Sequence, residues 1–131
     1  MNVKIDTKEK FTVITPLETE ISANMSVELL DLIESFKKKE IPHVILNLEN
    51  VKEMDDDSRK KLSFIQHQFY ENNCSFVICG MHKSLEGQFN DDEESEMMNV
   101  TPTESEAWDI VQMEEIEREL LNDFDHKDDN A

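Results

Sequence analysis

The apolar positions of this chain change period several times, and each change marks an element. Val3 and Ile5 alternate with Asn2, Lys4 and Asp6, the two-residue period of an edge strand. Phe11-Thr12-Val13-Ile14-Thr15 is a β-branched run that stops at Pro16. Lys8-Glu9-Lys10 lies between the two runs and predicts a hairpin. From Asn24 the period lengthens. Met25, Leu29, Ile33 and Phe36 recur three or four apart, with Glu28, Asp31, Glu34 and Lys38 off the stripe. This predicts an amphipathic helix with its stripe in the core, and Lys37-Lys38-Lys39 suits the negative pole of its dipole.

His43-Val44-Ile45-Leu46-Asn47-Leu48 is nearly continuous in apolar residues, as in a strand covered on both faces. A second helix is expected from about Asp56, with Leu62, Ile65 and Phe69 on one face. Ser75-Phe76-Val77-Ile78 is another buried strand, followed by a short helical segment through Leu85 and Phe89. The acidic stretch Asp91–Glu96 comes next, and Met97-Met98-Asn99-Val100 predicts a last, short edge strand. In Thr101-Pro102-Thr103-Glu104, Thr101 suits an N-cap, Pro102 the first helical position and Glu104 a capping box. Ile110, Met113, Ile116 and Leu120 then give the stripe of a long terminal helix. Trp108 lies off that stripe and is expected to pack on the sheet edge, a half-exposed anchor being the other reading. The order β-β-α-β-α-β-α-β-α, with two buried strands each followed by a helix, implies a partly parallel sheet.

The length of 131 residues suits one α/β domain, expected over 1–122, with an acidic, disordered tail expected at 123–131. Only two glycines and three prolines occur, against a turn-rich β-sandwich and against a glycine-rich phosphate loop. No apolar run reaches the ~18 residues of a membrane helix, and no export signal opens the chain, so a cytoplasmic location is expected. Cys74 and Cys79 flank an apolar run at an odd separation, which points them to opposite faces of a strand as reduced thiols.

Charge changes the picture further. The formal net charge is −18. Residues 1–90 carry 15 acids and 11 Lys or Arg, a net of −4, whereas residues 91–131 carry 16 acids and only Arg118 and Lys127, a net of −14. Such a surface repels nucleic acid and anionic membrane, and its natural complement is a basic protein. One reading of 91–131 is therefore a decoy that mimics nucleic acid for a basic partner; a merely solvated acidic surface is the other.

Candidate chemistry is sparse. His43, His67, His82 and His126 show no metal-ligand spacing to a cysteine or to one another, and Cys74 has no catalytic context. No cofactor or metal is expected. Asp55-Asp56-Asp57 is the one cluster that invites a sharp reading, because three carboxylates at a strand-to-helix turn can hold Mg²⁺ or accept a phosphoryl group. Acids also belong at a helix N-terminus, where they cap free N–H groups, and that simpler reading is preferred.

The stretch Val44-Ile45-Leu46-Asn47-Leu48-Glu49-Asn50-Val51-Lys52-Glu53-Met54-Asp55-Asp56-Asp57-Ser58-Arg59-Lys60-Lys61-Leu62 resembles the central signature of STAS domains, the anti-sigma factor antagonist family. That signature is an apolar strand, Asp-Leu-x-x-Val with a hydrophobic residue soon after, and Asp-Ser-Ser/Thr-Gly opening a helix. The resemblance spans roughly Val3 to Leu121, with Ile21-Ser22-Ala23-Asn24-Met25 matching the segment ahead of the family's first helix. It implies a mixed sheet of four or five strands with about four helices mainly on one face. It also implies a non-catalytic signalling domain that docks a protein partner, such as an anti-sigma factor or serine kinase, as a monomer or weak dimer.

By position, Asp55 matches the motif aspartate and Asp56 stands where the family's phosphorylated serine would be. Asp57 stands at the second Ser/Thr, Ser58 at the glycine, Thr19 at a usual glycine and Ser22 at a usual aspartate. The expected docking residues are Asp55, Asp56, Asp57, Ser58 and Arg59 at the second helix, with Ser22 and Asn24 before and in the first. Aspartate has no hydroxyl for a serine kinase, and it carries one charge where phosphoserine carries about −1.5 to −2. The expectation is a constitutively charged variant without the phosphoswitch, to which a standard kinase partner binds poorly.

Overall fold

The computed structural model describes residues 1–91 and 99–129, with side chains described for 1–89 and 99–121. The elements are β1 (Val3–Thr7), β2 (Thr12–Pro16), β3 (Glu20–Ile21), α1 (Ala23–Ser35), a 3-10 turn (Phe36–Lys38), β4 (Val44–Asn47), β5 (Glu53–Met54), α2 (Asp56–Glu71), β6 (Phe76–Cys79), α3 (Lys83–Asp91), β7 (Val100–Thr101) and α4 (Glu104–Asp129). Five strands form one mixed sheet in the order β1-β2-β4-β6-β7. β1 pairs with β2 antiparallel, Ile5 opposite Ile14, and the remaining neighbours are parallel.

Alternation along the strands divides the core in two. Ile14, Val44, Leu46, Phe76 and Ile78 face the layer of α1, α2 and α3, where they meet Leu29, Ile33, Leu62, Ile65, Phe69 and Leu85. Val13, Ile45, Val77 and Cys79 point the other way and meet Ala107 and Val111 of α4. The central strands are apolar at every position but one because both faces are covered. Cys74 lies in the first cluster and Cys79 in the second, both as free thiols, so the opposite-face expectation holds. Burial pushes the Cys79 thiol up to about 12.

Two sequence expectations need correction at α4. Thr101 is not the N-cap: it pairs with Cys79 in the sheet, and its hydroxyl donates to the Thr103 carbonyl at 2.7 Å. Thr103 takes the capping role instead, its Oγ1 accepting from the Glu106 N–H at 3.3 Å. Of the stripe Ile110/Met113/Ile116/Leu120, Ile110 alone packs against the sheet cluster, and it is only partly buried. Ala107 and Val111 cover the sheet, while Met113, Ile116 and Leu120 are exposed. The physical reason is length. Strands of 4 residues span about 13 Å, whereas a helix of 26 residues runs about 39 Å. Beyond Val111 the inward positions turn polar, with Arg118 Nη2 donating to Ser75 Oγ at 2.6 Å and Asn99 Nδ2 donating to Glu114 Oε2 at 3.1 Å. Trp108 joins both readings made of it, 43% exposed with its ring 6.2 Å from that of Phe11.

The expected strand at 97–100 is realised as Val100–Thr101. Met97, Met98 and residues 92–96 of the acidic stretch lie outside the described residues. The expected boundary between a domain ending at 122 and a tail at 123–131 falls in the last turns of α4, where side chains are also outside them. Among the described residues, no helix is long and apolar enough to cross a membrane.

Candidate functional site

Two short segments bring the site together. β3 and β5 pair in parallel, Glu20 opposite Glu53 and Ile21 opposite Met54, as a ladder separate from the main sheet. The Lys52 N–H donates to the Thr19 carbonyl at 2.7 Å and the Asp55 N–H to the Ile21 carbonyl at 3.2 Å. Each segment runs directly into a helix. The ladder therefore places the N-terminus of α1 beside that of α2, although their sequences lie some thirty residues apart. Both ends are capped by side chains: Ser22 Oγ accepts from Met25 N–H at 3.4 Å, and Asp55 Oδ2 accepts from Asp57 N–H at 3.2 Å.

Between the two helix ends opens a cavity of about 630 Å³. Four carboxylates border it, those of Glu20, Glu53, Asp55 and Asp56, with Ser22 also on the wall. The opposing cation is Arg59, 7% exposed. Its Nη1 donates to the Met54 carbonyl at 2.6 Å and to Gln88 Oε1 at 3.1 Å, and its Nη2 pairs with Asp56 Oδ1. Arg59 thus ties the end of β5 and the body of α3 to the first turn of α2. Asp56 stays 75% exposed on its other side.

Of the residues singled out from sequence, Ser22, Asp55, Asp56 and Arg59 converge on this cavity. Asp57 is exposed in the first turn of α2 and Asn24 in the first turn of α1, but neither lines the cavity. Ser58 points inward and is 1% exposed, so its hydroxyl has no access to a partner on the folded surface. It precedes Leu62, Ile65 and Phe69 by four, seven and eleven residues, and that spacing was the signal that places it on the buried stripe. Glu20, Glu53 and Gln88 were not anticipated. No sequence pattern marks them, because only the β3–β5 ladder and the docking of α3 bring them to the opening.

The three aspartates do not converge. Asp55 turns to the α2 backbone and Asp56 to Arg59. Among the described residues, no three His, Cys, Asp or Glu side chains form a group that could hold a metal ion. His43 and His82 are structural, Nδ1 of His43 accepting from Ser75 N–H at 3.0 Å and Nε2 of His82 lying 2.6 Å from the Glu49 carbonyl.

No family model and no curated protein matches the chain. Solved structures do. A proposed anti-sigma factor antagonist from Thermotoga maritima superposes with a TM-score of 0.73 at 15% identity, over 84% of this chain and 94% of that one. The fold is that of the anti-sigma factor antagonists, the STAS domain. The same STAS fold matches the unphosphorylated form of the Bacillus anti-sigma factor antagonist SpoIIAA, with a TM-score of 0.66 at 16% identity over 85% of this chain and 96% of that one. It also matches part of a murine solute carrier 26 anion transporter, with a TM-score of 0.62 at 13% identity over 79% of this chain and 18% of that one. At such identities the likeness concerns the STAS fold. Function has to be read from the cavity between α1 and α2.

Proposed function

We propose that this chain is a non-catalytic regulatory domain that docks a protein partner at the cavity between α1 and α2. The observation that carries the reading is the convergence of Glu20, Glu53, Asp55 and Asp56 on one opening, opposed by a single, internally bonded arginine. Exposed carboxylates beside two capped helix ends, with Asp56 still open to solvent on the side away from Arg59, suit Arg and Lys side chains of a partner, which meet them with charge-assisted hydrogen bonds. They do not suit phosphate, nucleic acid or an anionic membrane. The solved neighbours described as anti-sigma factor antagonists support an anti-sigma factor as the kind of partner. A cytoplasmic setting goes with that assignment.

The domain works without a serine phosphoswitch. Asp56 occupies the acceptor position, offers no hydroxyl, and its charge is held by Arg59 instead of being added and removed. Ser58 is the nearest hydroxyl along the sequence, and it is buried. The test is affinity capture with the full chain as bait, run beside Asp56→Arg and beside Glu71→Arg at the far end of α2. The expected result is one partner retained by the wild type and Glu71→Arg and depleted at least about tenfold by Asp56→Arg. A partner held equally by all three baits refutes docking at the cavity. Phosphate mapped to residues 55–59 of protein isolated from its source cells refutes the switchless reading.

A further inference from the structure

On the other side of the sheet, α4 presents an apolar ridge that none of the described residues covers. Met113, Ile116 and Leu120 are 59%, 55% and 61% exposed, at the i, i+3, i+7 spacing of one helical face. The opposite face of the same helix is used up by Ala107 and Val111 against the sheet and by Glu114 and Arg118 against Asn99 and Ser75. α4 is therefore amphipathic twice over, once toward the sheet and once toward solvent. Three large apolar side chains in a row, each more than half exposed, are more than the scattered apolar residues any surface carries.

The rim of the ridge limits what can cover it. Asp109 lies one turn before Met113, and Glu117 and Glu119 flank Ile116 and Leu120; all three acids are exposed. Between 104 and 121 the helix carries seven acids and one arginine. A second copy of this chain would bring the same acids against these, and like charges at helical contact distance repel. An anionic membrane is excluded on the same ground. A helix with apolar anchors and flanking Lys or Arg satisfies both the ridge and the rim.

We propose that the outward ridge of α4, formed by Met113, Ile116 and Leu120, docks a basic amphipathic helix of a protein partner. This surface is distinct from the cavity between α1 and α2, and its occupancy does not depend on Asp56. The probe is a synthetic Leu/Lys peptide of about 18 residues, about five helical turns, with leucines at helical spacing. A scrambled peptide of identical composition serves as control. Calorimetry and chemical-shift mapping on the full chain give the readouts. The patterned peptide is expected to shift residues 109–121, to bind at least about tenfold tighter than the scrambled one, and to weaken as salt rises from about 0.05 to 0.3 M. The variant Met113→Ser/Ile116→Ser/Leu120→Ser, confined to exposed positions, should lose at least about tenfold in affinity. Glu117→Lys/Glu119→Lys should lose affinity while keeping the apolar ridge, and Asp56→Arg should change nothing. Equal binding of the scrambled peptide overturns the proposal, because charge alone then suffices. So do shifts centred on Ser22 and Asp55, self-association of the free chain abolished by the triple serine variant, or binding of the free chain to anionic vesicles through the ridge.

Discussion

Arg59→Ala removes the side chain that joins three elements at the cavity, and its cost follows from the contacts. The Nη1 bond to the Met54 carbonyl, 2.6 Å, is a charged donor on a buried backbone acceptor, a class that contributes about 1.5–3 kcal/mol. The Asp56 arm contributes about 0–1 kcal/mol, because that carboxylate is 75% exposed and water screens it. Loss of the buried aliphatic stem adds roughly 1 kcal/mol. The expected destabilisation is therefore about 3–4 kcal/mol, or about 10 °C in Tm for a domain of this size. Urea unfolding of wild type, Arg59→Ala and Asp56→Ala at constant m gives the comparison directly. Asp56→Ala should cost under about 1 kcal/mol, since it removes only the screened arm. The two ends of one ion pair are thus expected to differ several-fold. An Arg59→Ala loss below about 1 kcal/mol, or equal losses for the two variants, would refute the view that Arg59 acts chiefly on the backbone end of β5 rather than on Asp56.

Two further predictions concern the scaffold. Gly80 has φ +74°, and a Cβ there would lie 2.6 Å from Asn47 Oδ1 and 3.3 Å from the Glu49 nitrogen; Gly80→Ala should destabilise by about 2–3 kcal/mol in thermal melts. Gly87 lies in α3, where an added Cβ would meet nothing within 4 Å, so Gly87→Ala should stabilise by about 0.5–1 kcal/mol in the same assay. For pH, burial and then the Arg118 charge push His43 below its ordinary value, and its Nδ1 accepts from Ser75 N–H. Between that lowered value and 6.5 the unfolded chain binds the proton more readily, so stability is full above about pH 6.5 and falls as pH drops through this window, by at most about 1.4 kcal/mol per pH unit. His43→Asn should flatten the slope in urea titrations from pH 7.5 to 5.5, and an unchanged slope would remove His43 as its source.

The sequence by itself determined the elements and the core. Period-two alternation at Val3 and Ile5, the apolar runs at 44–48 and 76–78, and the stripes Leu29/Ile33/Phe36 and Leu62/Ile65/Phe69 all settled where expected. For the central strands and the two helix stripes this follows because burying those faces dominates the free energy and the periods allow one way to do it; β1, with Ile5 47% exposed, is held as an edge strand by its pairing with β2. The Asp55 turn was legible for a similar reason, since acids cap helix starts locally and need no distant partner.

Tertiary structure decided the rest. Ser22 and Asp55 meet only through the two-residue ladder of β3 and β5, which is too short to have a period. Ser58 disappears into the core and Arg59 is drawn down to the Met54 carbonyl, because the position of the sheet fixes which side of α2 is inside. At α4 the stripe with the larger side chains lost to the one with Ala107. The short strands offer only about 13 Å of apolar surface, and a small side chain lets the helix approach it closely. Hydrophobic spacing names the faces of a helix, and the extent of the surface it meets chooses between them.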